Sequence, residues 1–255
     1  ALKKGRSADV ILVCLGEVPC TEKPGDIEDL NLPEAQKELV KQLSKLNKPM
    51  VFALVFNRPR VISDIEPCAD AIINCYLPGD FGGDALASIL FGETNPSGKL
   101  PFTYPRYTGS LVPYDHKYTE TLDKSFGRDA FNPQWKFGFG LSYSQFEYSN
   151  LAINDGILSA TDTLVVSVEL SNISKRDGLE VVQVFVTDEV ATITPSVKRL
   201  RAYDKVMVPA GESIVVELEL PISELAFVNT ANEWVVEPGA FTLLVGTETL
   251  QFTVR

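Results

Sequence analysis

Apolar residues in the first hundred positions form short runs that alternate with amphipathic stretches. The runs at 9–15, 49–56 and 69–77 are strand-sized and almost wholly apolar, as is typical of parallel strands covered on both faces. The stretch 33–46 begins with a proline and repeats apolar residues at helical spacing, and 83–91 predicts a shorter helix that ends at a glycine. This order of strand, helix, strand, strand and helix predicts an α/β layer.

Beyond residue 151 the helical pattern disappears and β-rich runs replace it. The clearest runs lie at 164–170, 180–186, 213–220 and 241–246. Turn signals separate them, at Asp177-Gly178, Pro209-Ala210-Gly211 and Pro238-Gly239. Short strands divided by such turns predict a β-sandwich of about seven strands. The fold class is therefore predicted as α/β followed by all-β.

Between these two halves lies a stretch that is rich in proline and aromatic residues and has little periodicity. We predict an α/β domain at 1–104, a connector at 105–150 and a β-sandwich at 151–255. A connector of this length usually has a function or packs across a domain junction. Its many aromatic side chains favour packing.

Composition excludes several classes of protein. The formal net charge is -11, which argues against a nucleic-acid partner because nothing could neutralise a run of phosphates. The longest apolar runs, such as 51–56, are far shorter than the roughly 20 residues of a membrane span. Residues 1–8 are partly basic but are not followed by the apolar core of a signal peptide. We expect a soluble, acidic protein that has no membrane partner.

Cysteine and histidine are too sparse for most metal and nucleophile chemistry. The four cysteines, Cys14, Cys20, Cys68 and Cys75, match no zinc spacing. Free thiols are favoured, with one disulfide as the alternative, and Cys14 and Cys75 are expected to be buried in their strands. His116 is the only histidine and is expected at the surface or at a domain junction, so no Ser/His or Cys/His pair stands out.

The first apolar run ends in a loop dense in carboxylates. They are Glu17, Glu22, Asp26, Glu28 and Asp29. Ligands of α/β proteins bind outside the carboxyl ends of the strands, where this loop begins. Spacing alone does not choose among the five, and a solvated acidic loop is the simplest interpretation.

Three segments together carry a resemblance to a known family. The stretches 16–26, 78–102 and 131–143 resemble the C-terminal part of glycoside hydrolase family 3, the β-glucosidase and exo-β-glucanase group. The resemblance implies the second half of an α/β sandwich domain followed by a fibronectin type III-like β-sandwich. The barrel domain and the first half of the α/β sandwich have no counterpart here, which implies a fragment of a longer enzyme. The family needs no cofactor, and its habit of export implies a periplasmic or secreted protein.

The resemblance also singles out one carboxylate. The family's catalytic acid/base lies in a loop of the form Gly-Glu-x-Pro-x-x-Glu-x-x-Gly-Asp, which Gly16, Glu17, Pro19, Glu22, Gly25 and Asp26 match. Glu22 is thereby implied as the general acid/base. The family's nucleophile is an aspartate of the absent barrel, and Asp64 is expected to be a turn or helix-start residue. Asn57 stands where relatives often have glycine and is expected to tolerate a left-handed turn.

Two functions follow from this reading. The first is the C-terminal part of a retaining β-glucosidase-like exo-hydrolase, which acts on a β-linked glucoside or oligosaccharide together with the N-terminal barrel part of the same enzyme. The chain alone is then expected to be inactive. The alternative is a non-catalytic carbohydrate-binding or structural module. A Glu22 that is buried and held in a salt bridge would favour this alternative. Trp135 is expected to pack at the domain junction, although stacking on a sugar is the other option.

Overall fold

The computed structural model divides into two compact units whose chain segments alternate along the sequence. It describes residues 1–20, 22–110, 113–118 and 131–255. The first unit, called the α/β unit, comprises Ala1–Thr94, Tyr104–Val112 and Asn132–Trp135. The second, called the β unit, comprises Asn95–Thr103, Pro113–Phe131 and Lys136–Arg255. The predicted connector thus contributes to both units, and its residues 111–112 and 119–130 lie outside the described residues.

A three-stranded parallel sheet forms the centre of the α/β unit. Its strands are β1 (Ile11–Gly16), β2 (Met50–Val55) and β3 (Ala71–Asn74), in that spatial order. The helices are α1 (Leu2–Gly5), α2 (Glu34–Ser44) and α3 (Gly82–Leu90). The predicted strands and helices are confirmed, and only the short α1 was not predicted. β3 is shorter than its apolar run, since Tyr76 adopts a positive φ of 53° just beyond it.

The first strand of this sheet, β1, is buried on one face and open on the other. Val13 and Leu15 of β1 are almost fully buried, whereas Leu12 on the opposite face is 44% exposed. Cys14 shares the open face, so the prediction that its thiol is buried is wrong. All four cysteines are free, as the spacing indicated.

The β unit is a sandwich of a three-stranded and a five-stranded sheet. The smaller sheet orders β4 (Phe146–Ile153), β6 (Thr163–Asn172) and β9 (Ser213–Pro221) as β4-β6-β9. The larger contains β5 (Ile157–Leu158), β7 (Gly178–Asp188), β8 (Arg199–Val208), β12 (Gly239–Val245) and β13 (Glu248–Val254), ordered β5-β13-β12-β7-β8. A small antiparallel ribbon pairs β10 (Phe227–Val228) with β11 (Trp234–Val235).

The sandwich core follows the alternation expected for two sheets packed face to face. Along β6 every second residue is buried, from Leu164 to Leu170, and these side chains share one cluster with Val182 and Val184 of β7 and Leu243 of β12. The predicted β-sandwich is confirmed. Its first strand, β4, begins at Phe146, inside the range assigned to the connector.

Aromatic residues of the connector pack against the sandwich, as their number indicated. Phe137 stacks on Tyr114 with ring centroids 4.4 Å apart and meets Phe185 of β7 edge-on. His116 is buried and stacks on Phe131, so the expectation of a surface histidine is wrong. The connector therefore covers the outer face of β7.

Two motifs of the same region are explained by close packing. A side chain at Gly140 would collide with the carbonyl oxygen of Gly98, so only glycine fits there. In the α/β unit, Trp135 makes an edge-to-face contact with Tyr104, with ring centroids 5.0 Å apart.

Across the described part of the chain, no helix is long and apolar enough to span a membrane.

Candidate catalytic loop

The loop that follows β1 begins with a buried, ion-paired carboxylate. Only 4% of the Glu17 side chain is exposed, and its Oε2 lies 3.0 Å from Arg58 Nη2 and 2.6 Å from Arg60 Nη2. The other oxygen, Oε1, accepts hydrogen bonds from the backbone N–H groups of Asn57 (2.7 Å) and Arg58 (2.9 Å). Both oxygens of Glu17 are therefore held by the segment Asn57-Arg58-Pro59-Arg60, which we call the arginine clamp.

The clamp keeps Glu17 ionised. Burial by itself would raise the pKa of the Glu17 carboxyl, but the hydrogen bonds from Arg58 and Arg60 and the charge of Arg60 outweigh it and hold the pKa below its ordinary value. A carboxylate bound in this way does not carry a proton at rest. Glu17 thus fastens the loop and is not suited to donate a proton.

The same clamp holds the far end of the loop. Arg60 Nη1 donates to the carbonyl oxygens of Asp29 (3.1 Å) and Asn31 (3.3 Å), and the Val61 N–H donates to the Leu30 carbonyl (3.0 Å). The Asp29 carboxylate in turn accepts from the backbone N–H of Asn31 and from the Thr108 hydroxyl, and these bonds lower its pKa. The loop is consequently tied at both ends to one short segment after β2.

A third contact fixes the middle of the loop. Asn57 Nδ2 donates to the carbonyl oxygen of Cys20 at 2.7 Å. The expectation of a left-handed turn at Asn57 is wrong, because its φ is not among the positive values of the described residues. Asparagine contributes here a side-chain donor that glycine lacks.

Glu22 lies between the two tied ends of the loop, and no cation among the described residues neutralises its charge. Its side chain is exposed and makes no ion pair among the described residues. Its backbone has φ 56° and ψ -156°, and its carbonyl accepts from the Gly25 N–H at 2.8 Å, where a 3-10 turn (Lys23–Gly25) begins. Non-glycine residues adopt such dihedrals at a cost on the order of 1–3 kcal/mol, and they cluster at functional sites. The fold therefore presents Glu22 on a strained but tethered backbone.

The remaining acidic side chains lie elsewhere on the loop or on other segments of the chain. Asp26 and Glu28 are exposed on the same loop. Asp64 lies in a turn, as expected, and pairs with Lys37 of α2 at 3.1 Å. Among the described residues no group of three or more His, Cys, Asp or Glu side chains is arranged to hold a metal ion.

The arrangement leaves Glu22, like Asp26 and Glu28, exposed without an ion pair among the described residues in the loop after β1, where a carboxyl group can exchange a proton with a bound molecule. Sequence reasoning found Glu17 and Glu22 through the family motif but missed the roles of Arg58 and Arg60. The signal was present in the pair of arginines around Pro59 directly after β2. What was lacking was any means to connect them to Glu17 across about 40 residues of chain.

Comparison with family descriptions gives two matches. Residues 1–143 match the family described as "Glycosyl hydrolase family 3 C-terminal domain". Residues 180–249 match the "Fibronectin type III-like domain". The first match includes the acidic loop after β1, and the second falls on the sandwich.

Relatives with known names agree with these matches. The chain is 37% identical to a lysosomal beta glucosidase of Dictyostelium discoideum, over 98% of this chain and 31% of the relative. It is 32% identical to a periplasmic beta-glucosidase of Salmonella typhimurium, over 97% of this chain and 34% of the relative. The chain thus spans about a third of the length of these relatives.

Solved structures give the same result. A beta-glucosidase from Listeria innocua in complex with glucose superposes with a TM-score of 0.92 at 32% identity, over 99% of this chain and 37% of that chain. The mutant of that enzyme in complex with laminaribiose superposes with a TM-score of 0.91 at 34% identity, over 100% of this chain and 37% of that chain.

Proposed function

Because the chain belongs to glycosyl hydrolase family 3, we propose that Glu22 is the general acid/base of a retaining β-glucosidase-like exo-hydrolase. The observation that carries this proposal is the contrast between two glutamates of one loop. Glu17 is buried and bound by two arginines, whereas Glu22 is exposed on a loop that is tied at both ends. The first arrangement fixes a position, and the second leaves a carboxyl group available for proton transfer.

The proposed reaction has two steps. In the first, Glu22 donates a proton to the glycosidic oxygen while a second carboxylate attacks the anomeric carbon, so that the leaving group departs as an alcohol. In the second, the Glu22 carboxylate accepts a proton from water, and the resulting attack on the glycosyl ester releases the sugar and the second carboxylate. Glu22 ends the cycle protonated again.

The second carboxylate is proposed to be an aspartate from the N-terminal barrel part of the longer enzyme. Retaining enzymes hold the two carboxyl groups about 5–5.5 Å apart. Glu17 is bound by the clamp and Asp64 is paired with Lys37, so neither of these two carboxylates is free to act as the nucleophile. Asp26 and Glu28 are exposed on the loop of Glu22, so the proposal of a nucleophile outside this chain rests on the family to which the chain belongs.

We propose a β-linked glucoside or gluco-oligosaccharide as the substrate. The similar structures include complexes with glucose and laminaribiose. A β-xyloside is the second candidate, because a beta-xylosidase of Formosa agariphila is 34% identical to this chain. Export to the periplasm or medium is proposed from the periplasmic relative of Salmonella typhimurium.

The alternative of a non-catalytic carbohydrate-binding or structural module predicts a buried and salt-bridged Glu22. In the structure these properties belong to Glu17, and Glu22 has neither among the described residues. Trp234 is exposed on the β10–β11 ribbon, but no second exposed ring accompanies it on that ribbon. The contrast between the two glutamates favours the hydrolase.

The test is the substitution Glu22→Gln in the full-length enzyme. Only poor leaving groups need a proton, so we expect kcat/KM for an alkyl β-glucoside or cellobiose to fall by about 10²–10⁴-fold. For a dinitrophenyl β-glucoside we expect glycosyl-enzyme formation to be nearly unchanged. Azide should accelerate the second step and give a β-glucosyl azide, detected by mass spectrometry.

The matched control is Glu28→Gln, which removes a negative charge from an exposed position of the same loop. This variant should retain wild-type kinetics on both substrates. Equal losses on both substrates in Glu22→Gln, without azide rescue, would contradict the assignment of Glu22.

A further inference from the structure

A small hollow in the β unit combines an apolar floor with a cationic rim. The floor contains Val186, Leu225 and Phe241, each at most 6% exposed. The rim contains Lys117, Arg199 and Arg201. The cavity volume is about 60 Å³, room for a few waters or for part of a small ligand that extends out through the mouth.

Arg201 is the least satisfied of the three cations. Its Nε is buried and has no hydrogen-bond partner, and the described residues offer its guanidinium no ion pair. Burial and the neighbouring charge of Arg199 lower the pKa of Arg201, and the charges of Tyr114 and Glu224 offset only part of this. A buried donor without an acceptor costs about 1–3 kcal/mol, and more when it is charged. The fold therefore maintains a donor at this position that an incoming acceptor would satisfy.

A β-bulge accounts for the position of Arg201. In the pairing of β7 with β8, Val184 lies opposite Ala202, while the next residue, Phe185, lies opposite Leu200. Arg201 is thus the extra residue of the bulge and has no partner on β7. Bulges redirect side chains and occur next to functional sites.

A buried serine orients the other two cations toward each other. Ser196 is 8% exposed, and its Oγ accepts from Lys117 Nζ and from Arg199 Nε, each at 3.3 Å. Arg199 also reaches Asp115, but at 3.5 Å and with both side chains more than a third exposed, a weak ion pair. The Asp188 carboxylate lines the hollow as well and accepts from the Val190 N–H at 3.2 Å.

The hollow brings three cations together with one carboxylate, Asp188, in a chain with a net charge of -11. Like charges repel at close range, and the repulsion is reduced when an anion lies between them. A guanidinium fork matches the two oxygens of a carboxylate, and buried aliphatic and aromatic side chains match an apolar body.

We propose that this hollow, which lies in the β unit and is unrelated to the acid/base chemistry of Glu22, binds a small organic carboxylate. The carboxylate group accepts hydrogen bonds from Arg201 and Arg199, and the apolar body of the ligand covers Val186 and Phe241. The proposal does not depend on the proposed hydrolase activity.

The experiment is isothermal titration calorimetry with benzoate on the protein that carries this chain, at constant ionic strength. Benzoate should bind with a roughly millimolar Kd, given its size. Its neutral isostere benzamide should not bind measurably, since it lacks the charge. In Arg201→Gln the Kd of benzoate should rise at least about tenfold, the loss of about 1.4 kcal/mol expected for a charge-assisted hydrogen bond.

Lys205→Gln is the matched control, because Lys205 is exposed on the same strand and does not line the hollow. It should bind benzoate like the wild type. Arg201→Lys retains the charge without the fork and should bind more weakly than the wild type, which keeps the test informative if Arg201→Gln does not fold.

Three outcomes would overturn the proposal. The first is no benzoate binding by the wild-type protein, as expected if a carboxylate of the same polypeptide already fills the hollow. The second is equal binding of sulfate or phosphate, which would make the hollow a general anion site. The third is equal weakening in Lys205→Gln and Arg201→Gln, which would reduce the effect to net charge.

Discussion

Two glutamates of one loop show how surroundings decide what a carboxyl group can do. Glu17 and Glu22 follow the same strand, yet the first accepts five hydrogen bonds from arginine side chains and backbone N–H groups, and the second stands exposed. The buried carboxylate is valuable as an anchor because its charge is compensated. The exposed one forms no ion pair among the described residues, which supports its proposed role in proton transfer.

The backbone of Glu22 gives a prediction about stability. Glycine adopts positive φ with ψ near 180° at no steric cost, so Glu22→Gly should be more stable to unfolding than Glu22→Ala by about 1 kcal/mol. Both variants should lack acid/base function. Urea denaturation of the two variants side by side measures the difference.

Asp26, exposed without a positive φ, provides the comparison site. There, glycine should be no more stable than alanine. If Glu22→Gly were the less stable member of its pair, the strain inferred from φ 56° would be contradicted.

At the scale of single residues, the sequence named candidate side chains but did not show which of them are buried or ion-paired. Glu22 was chosen by the family motif, and no physical pattern in the sequence distinguished it from Asp26 or Glu28. The burial of Glu17 depends on Arg58 and Arg60, which lie 41 and 43 positions away, so local spacing holds no record of the contact. The burial of His116 depends in the same way on Phe131 and on contacts that only the folded chain creates.

At the scale of elements, the arginine clamp makes the stability of the loop depend on pH. The folded-state pKa of Glu17 is lowered, so its ion pairs stabilise the loop above the ordinary pKa of about 4.5 and lose this effect as pH falls through the lower, folded value. Glu17→Gln removes the charge and leaves two arginines without it, and it should destabilise the clamped region by on the order of 3 kcal/mol at pH 7.

Hydrogen–deuterium exchange of residues 17–31 measures this effect. The exchange rates of variant and wild type should differ most at neutral pH, and their ratio should approach one as pH falls through the lowered folded-state pKa of Glu17. Glu28→Gln, with its exposed side chain, should follow the wild type throughout. A ratio independent of pH would show that the ionised form of Glu17 does not hold the loop.

Elements with an unmixed apolar pattern were predicted well, and mixed ones were not. β6 and β7 lie in the sandwich core, and their alternating or continuous runs of apolar residues made them recognisable as strands in the sequence. β8 is an edge strand with Arg199, Arg201, Asp204 and Lys205 along it, a composition that protects edges from pairing and also hides them from pattern analysis. β4 was hidden by the aromatic residues around it.

A further buried pair links sequence segments within the β unit. Lys99 Nζ lies 3.0 Å from Glu180 Oε2 and also donates to the Gly140 carbonyl. Tyr148 donates to the other oxygen of Glu180, and burial together with this carboxylate raises the pKa of Tyr148. The Gly98-Lys99 motif that resembles the family thus has a structural task at the start of β7.

At the scale of the whole molecule, the open face of the parallel sheet calls for a cover. Leu12 and Cys14 of β1 are exposed on a strand whose opposite face is buried, and the outer edges of β1 and β3 have no partner strand among the described residues. Exposed apolar edges promote aggregation, and parallel strands normally carry helices on both faces. The chain spans about a third of its relatives, and we expect the remaining polypeptide to provide the cover.

This expectation is testable by expression. The 255-residue chain alone should be inactive on β-glucosides and prone to aggregate, and it should become soluble when the remaining polypeptide is co-expressed as a separate chain. The two chains should co-purify and bury well above about 2,000 Å². Size-exclusion chromatography with light scattering, combined with an aryl β-glucoside assay, measures both properties. A monodisperse, active monomer of the chain alone would contradict the prediction.

The double attachment of the acidic loop also bears on how such enzymes diversify. Both ends of the loop are fixed by one short segment, so the sheet and α2 are insulated from whatever lies between them. Each doubling of a flexible loop's length costs only about 0.6 kcal/mol of closure entropy. Insertions, deletions and new side chains between Cys20 and Asp29 can therefore be sampled by mutation with little risk to folding, as long as Glu17 and Arg60 are retained. In a tethered segment of this kind, substitutions can change the range of substrates during evolution while the rest of the fold stays unchanged.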